Sequence, residues 1–407
     1  MEAEKILEQR IEKATQNLIP LERMEEEYAI LLEKGAERGA DSWQMRVKNQ
    51  TPHCKFGEEG ICCRICTMGP CRITSKAPKG ICGCDVHGIV ARNYLRFTAG
   101  GSATHSDHGR AICETLYCSA EDGDYKVKDP EKLYRLAKEW GIETEGKDLY
   151  DLAHEVAYTG LCEYGKPEGV QRFLTRATQE RQDTWKREGI EPRAIDREVS
   201  QALHMTHMGC SSLPEALIRH ALRAGLSDGW GGSMMGTEMS DIMFGTPKPI
   251  DTEANLGVIK PDFVNIMVHG HDPSLSEMVV FYAEDPEMIA KAKAVGAKGI
   301  NVVGVCCTSN EVTMRHGIPM AGNFLQQENC ILTGAIEACV VDVQCIFPAL
   351  GPLSKCFHTK FITTSHIAQM PDSEFIEFEP ATAGENARKI VSEAVENFAN
   401  RDQEAVY

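Results

Sequence analysis

Five cysteines fall within the 21 residues HCKFGEEGICCRICTMGPCRI (53–73), and two of them, Cys62 and Cys63, are adjacent. Cys82 and Cys84 follow, so seven of the 17 cysteines lie between residues 54 and 84. Residues 51–84 are also rich in Gly and Pro and carry neither helical nor strand periodicity, which suits a loop wrapped around metal. A cubane iron–sulfur cluster needs four converging thiolates, usually three from a tight loop and one from farther along. Cys63, Cys66, Cys71 and Cys82 meet that demand. A zinc ribbon wants two C-x2-C knuckles, and only one is present. Cys54 and Cys62 are then left as half of a second site, which a two-fold axis completes by bringing the same two thiolates from a second chain. Side by side, Cys62 and Cys63 serve two centres at once. The bland alternative makes Cys62 a buried neighbour, and Cys84 stays open between fourth ligand and bystander.

The rest of the composition narrows the setting. The chain has 407 residues and a net charge of −17, so it offers no electrostatic footprint for nucleic acid or an anionic membrane surface. The N-terminus MEAEKILEQRIEKATQNLIP has no apolar core of a signal peptide, and no window resembles a membrane span. Cysteines in such a chain are expected as metal ligands in the reducing cytoplasm, not as disulfides. Cys113, Cys118, Cys162, Cys210, Cys330, Cys339 and Cys356 are expected as buried small hydrophobes.

Periodicity divides the chain in two. Residues 1–253 are expected to be mostly helical around the cysteine loop at 51–84, starting with Ile6, Leu7, Ile11, Leu18, Tyr28, Leu31 and Leu32 at helical spacing. From residue 254 to 407, FVNIMV, GINVVGV, CVVDVQ and FITTS read as strands. DPEMIAKAKAVG, NFLQQENCILTGAIEA and ENARKIVSEAVENFANR between and after them read as helices. Alternation of this kind predicts an α/β unit with a parallel sheet and crossover helices. No G-x-G-x-x-G or P-loop follows any strand, so no nucleotide is indicated. VHGHDP, VCCTSN and DVQCI instead put histidine and cysteine at three consecutive carboxyl strand ends, the edge where open α/β sheets bind ligands.

CKFGEEGICCRICTMGPCRI, IVARNYLR, HSDHGRAI, SDGWGGSM, DIMFGTPKP, VHGHDPSLS, GINVVGVCCTSNEVTMRHGIP and DVQCI together resemble the catalytic subunit of anaerobic nickel-containing carbon monoxide dehydrogenases. The resemblance implies an N-terminal helical domain followed by two Rossmann-like domains, and a homodimer. It implies reversible oxidation of carbon monoxide with water to carbon dioxide, two protons and two electrons. By resemblance, Cys54 and Cys62 bind a 4Fe–4S cluster bridging the dimer, and Cys63, Cys66, Cys71 and Cys82 an intermediate 4Fe–4S cluster. His271, Cys307 and Cys345 are implied ligands of a nickel–iron–sulfur centre, with His269 supporting His271 by a hydrogen bond and Cys306 a buried thiol beside the ligand. His105 is the implied proton acceptor, with Asp228 the acid beside it and His108 the next step of a histidine ladder. Ala111 and Glu114 stand where the family continues that ladder, so the relay here is altered or runs through Glu114 and water.

The family's sequence runs on past residue 407 into a third α/β domain, which supplies three more cysteine ligands and a lysine. The expectation is therefore a fragment, the first half of a split enzyme or an early-stop product, partnered by a separate C-terminal segment. A ferredoxin-like electron acceptor and an acetyl-CoA synthase subunit are further implied partners. The alternatives are a catalytically inactive dimeric iron–sulfur electron-transfer protein and a zinc-stabilised interaction module.

Overall fold

The six-stranded sheet that positions the site begins with β3 (Val264–Gly270), a strand buried at every residue. The structure, a computed structural model, describes residues 21–407. Ile6, Leu7, Ile11 and Leu18 lie outside the described residues. A hairpin of two short strands, β1 (Cys62–Cys63) and β2 (Cys71–Arg72), precedes the sheet in the chain. After β3 come β4 (Ile300–Val305), β5 (Met320–Gly322), β6 (Ile336–Val341), β7 (Lys360–Thr363) and β8 (Glu374–Phe375). All pairings among β3–β8 are parallel, in the order β5-β4-β3-β6-β7-β8. The chain winds outward from β3 in one direction and then returns to β6 on its other side. Crossovers leave in opposite directions there, which opens a crevice at the carboxyl ends of β3 and β6.

Strand side chains alternate between faces. Ile266 and Val268 of β3 pack with Leu275 and Val279 of the helix Pro273–Ala283 and with Ile390 and Val391 of Ala383–Asn397. Met267 lies in the core of the opposite face with Cys339, Ile331 and Leu332. Leu31 joins that same core, so the N-terminal helix α1 (Leu21–Glu37) packs with the sheet's covering layer. Asp272 and Asp285 cap the helices that follow them by accepting a backbone N–H.

The helical part is organised by α2 (Val86–Tyr117), 32 residues long and started by Asp85, which accepts the N–H of Gly88 at 2.9 Å. At 1.5 Å per residue it runs for about 48 Å. Against it pack α3 (Leu149–Tyr164), α4 (Ile195–Thr206) and α5 (Pro214–Ser227). The core around Leu116, Leu152, Met235 and Met239 also takes in Met278, Ala383 and Ala387 from the sheet's helices. That shared core fixes α2 relative to the strand ends.

Two local expectations are corrected. NFLQQENCILTGAIEA is helical only over α6 (Gln327–Leu332), because Gly334 turns the chain at φ 69° and the apolar run from Ile336 enters the sheet as β6. Cys118, Cys162 and Cys210 are exposed, and only Cys113, Cys330 and Cys339 of the expected core thiols are fully buried.

Candidate metal centre

In the hairpin, Cys63 lies opposite Cys71 and Cys62 opposite Arg72. Neighbours on a strand point to opposite faces. Cys63 and Cys71 therefore share a face, with Cys66, Cys82 and Cys84, around one small cavity that Cys62 does not line. Donors already point at two of these sulfurs: the Ile81 N–H approaches Cys71 Sγ at 3.4 Å and Arg92 Nη1 approaches Cys82 Sγ at 3.9 Å. Hydrogen bonding from the Cys84 backbone, with help from Arg92, holds the Cys82 thiol below its ordinary pKa. Cys54 is exposed and Cys62 half-buried, and neither lines that cavity.

The second group of residues sits at the strand ends. Gly270 and Cys306 are bridged in parallel register, and His269 lies level with Val305 and Val341. His271, Cys307 and Cys345 thus leave three adjacent strands at one edge. Cys306 and Cys307 open the helix Cys306–His316. Cys306, Gln344 and Cys345 have φ values of 65°, 69° and 59°, a left-handed backbone that non-glycine residues adopt mainly under local constraint. Burial and the neighbouring Cys345 push the Cys307 thiol up, and burial alone does so for Cys345.

Two residues not singled out from the sequence supply that constraint. Asp342, at the end of β6, accepts the N–H of His271 at 2.6 Å, that of Asp272 at 3.1 Å and that of Val343. Burial, then the neighbouring Asp272, push its carboxyl well above the usual carboxylate range, while the backbone donors oppose them. Gly270 has φ 135°, and a Cβ there would lie 1.8 Å from Asp342 Oδ1. Gln327 on α6 is fully buried. Its Oε1 accepts from Phe347 N at 2.8 Å and faces His269 Nε2 at 3.0 Å, while its Nε2 donates to Cys345 O at 3.0 Å and to Phe324 O. His269 therefore braces the Cys345 loop and makes no hydrogen bond to His271. An acid directly after the apolar run CVV was the sequence signal for Asp342; Gln327 left none.

Across the edge stands α2. His105 Nδ1 lies 2.6 Å from Asp228 Oδ1, and the His105 and His108 rings lie 6.5 Å and 6.1 Å from that of His271. Asp228 opens the π-turn Asp228–Ser233, whose Gly232 approaches so closely that a Cβ would meet His105 Cβ at 2.9 Å. The Asp228 carboxylate raises the His105 pKa. Burial, then the proximity of His105, lowers His108 to about 4, and burial, then His108 and His105, lowers His271 to about 4. Buried His108 Nε2 and His271 Nδ1 have no hydrogen-bond partner. An uncharged imidazole with a free ring nitrogen is the form that ligates metal, so His271 fits a ligand role. Among the described residues, no three or more His, Cys, Asp or Glu side chains are arranged to hold one metal ion. A multi-iron cluster is a larger body and spreads its ligands more widely. His108, Ala111, Glu114, Asp342 and Gln344 line a cleft of about 1050 Å³ beside this edge. Gln344 closes part of it by donating to Thr104 O on α2 at 2.7 Å. No described helix is long and apolar enough to cross a membrane.

Residues 61–407 match the Prismane/CO dehydrogenase family. Carbon monoxide dehydrogenase 1 of Methanosarcina mazei is 51% identical over 381 residues, which are 92% of this chain and 61% of that protein. The carbon monoxide dehydrogenase/acetyl-CoA synthase subunit beta of Moorella thermoacetica is 43% identical over 89% of this chain and 54% of its own length. A nickel-free crystal structure of carbon monoxide dehydrogenase from Thermococcus sp. AM4 superposes with TM-score 0.90 at 49% identity, covering 93% of this chain and 61% of that one. The chain thus spans about three-fifths of the length of such relatives. With its cysteine loop, its strand-end histidine and cysteines and this match over most of its length, the chain belongs to the Prismane/CO dehydrogenase family.

Proposed function

We propose that this chain carries out reversible oxidation of carbon monoxide with water to carbon dioxide, two protons and two electrons, together with a C-terminal segment. The observation that carries this reading is the meeting of His271, Cys307 and Cys345 at one sheet edge, faced by His105 and His108. A nickel–iron–sulfur centre held by His271, Cys307 and Cys345 would supply carbon monoxide binding at a sulfur-rich metal, acidification of water and acceptance of two electrons. The 4Fe–4S clusters would be held by Cys63, Cys66, Cys71 and Cys82 within the chain, and by Cys54 and Cys62 with the same pair of a second chain.

The chain's own groups handle the protons. His105 holds a proton at the imidazole that Asp228 stabilises, next to the His271 ring. His108, uncharged and with Nε2 unpartnered, is placed to take a proton only in transit. Glu114 lies farther along α2 on the same cleft as His108 and leads toward solvent. We further propose a cytoplasmic homodimer, with residues 1–253 and 254–407 as its helical and α/β units. It passes electrons to a ferredoxin-like acceptor and is able to pair with an acetyl-CoA synthase subunit.

The test is anaerobic expression with nickel and iron, with and without a co-expressed C-terminal segment from a relative. Carbon monoxide-dependent dye reduction is expected with the segment and little or none without it. Clusters present but no activity in either arm would favour the electron-transfer alternative.

A further inference from the structure

Five thiols surround the cavity behind the hairpin, one more than a cubane uses, and the fifth belongs to Cys84. The sulfurs of Cys71 and Cys82 face N–H donors, as metal-bound thiolates do. Cys84 differs: its Sγ faces an acceptor, the Asp85 carbonyl, at 3.7 Å. Cys84 is buried whereas Cys82 is exposed. Room for the Cys84 sulfur exists because residue 88, in the first turn of α2, is a glycine; a Cβ there would come within 2.6 Å of Cys84 Sγ. Only Gly83, at φ 89°, separates the two thiols, and its backbone freedom lets the short segment pivot. The loop thus keeps a second, protected thiol on the wall of the same cavity as the exposed one.

We propose that Cys84 is a reserve ligand of the cluster held by Cys63, Cys66, Cys71 and Cys82, taking the iron of Cys82 when that thiolate is released. The proposal rests on the iron–sulfur reading of this loop. The exchange balances without a redox change: the bond from iron to Cys82 sulfur breaks, a bond from the same iron to Cys84 sulfur forms, and the Cys84 thiol proton passes to Cys82. The Asp85 carbonyl loses its S–H donor and stays within reach of water at the helix start.

The full chain, reconstituted anaerobically with ferrous iron and sulfide, tests this in four forms: wild type, Cys82→Ala, Cys84→Ala and the double variant. Iron and sulfide per chain and EPR of the reduced and oxidised protein are the readouts, with melting temperature as a check on folding. Each single variant is expected to keep the wild-type iron content and its four-iron signal. The double variant is expected to lose iron and show a three-iron signal or no cluster at this site. Loss in Cys82→Ala equal to that in the double variant overturns the reserve role. Loss in Cys84→Ala alone overturns it too, by making Cys84 the ordinary ligand, as does full retention in the double variant. If Cys82→Ala melts early, Cys82→Val, whose side chain offers iron no ligand, carries the same expectation. A wild type that takes up no iron overturns the cluster reading itself, and the reserve role with it.

Discussion

Asp228 raises the pKa of His105, and burial lowers those of its neighbours His108 and His271. The pair at i, i+3 in HSDHGR was legible because helical spacing alone brings such residues to one face. Their opposite pKa shifts were not, since the rise at His105 depends on Asp228 arriving from a distant turn. His105 has a folded pKa raised above its unfolded value of about 6.5. The stability it contributes is therefore fully present below about pH 6.5 and is lost as pH rises through the folded value. Asp228→Asn is expected to lower the His105 titration and to flatten this pH dependence. NMR of the imidazole and melting temperature against pH measure both, and an unchanged His105 midpoint would count against the pairing. At the neighbouring turn, Gly270→Ala is expected to destabilise by about 2–4 kcal/mol, because the added Cβ collides with Asp342. Denaturant titration of the variant checks this.

At the scale of elements, the strands were readable as short apolar runs bounded by turn residues, and the ligand-type residues at their ends came with them. What α6 does was hidden. A buried six-residue helix looks, in sequence, like the middle of a longer one, and only the left-handed Gly334 and the entry into β6 end it. Its Gln327 makes four hydrogen bonds that hold His269, Phe324, Cys345 and Phe347 together, fixing the left-handed turn at Gln344 and Cys345. Gln327→Leu fills a similar volume but strands several buried polar groups, each of which costs about 1–3 kcal/mol. The expected outcome is a loss of about 2–4 kcal/mol in stability and faster alkylation of Cys345 in the metal-free protein. Denaturant unfolding and mass-spectrometric thiol labelling measure these, and unchanged labelling would show that Gln327 does not hold the loop.

For the whole molecule, the outward face of the cysteine loop carries the prediction. Cys62→Ser is expected to remove about one cluster per dimer and to promote dissociation at low concentration, because a shared metal site contributes directly to assembly. Iron analysis and sedimentation measure the two effects together; unchanged iron in an unchanged dimer would return Cys62 to the role of bystander. Linear spacing alone determined which thiols share the loop, that Cys62 and Cys63 face apart, and that three apolar strands end in histidine and cysteine. Each of those statements involves neighbours within a few residues, where backbone geometry leaves little choice. The tertiary structure alone decided that α2 lays His105 and His108 against His271 and that Asp342 and Gln327 brace the strand ends. Those contacts join groups that are far apart along the chain, or of a residue type too common to stand out, and packing of the shared core is what brings them together.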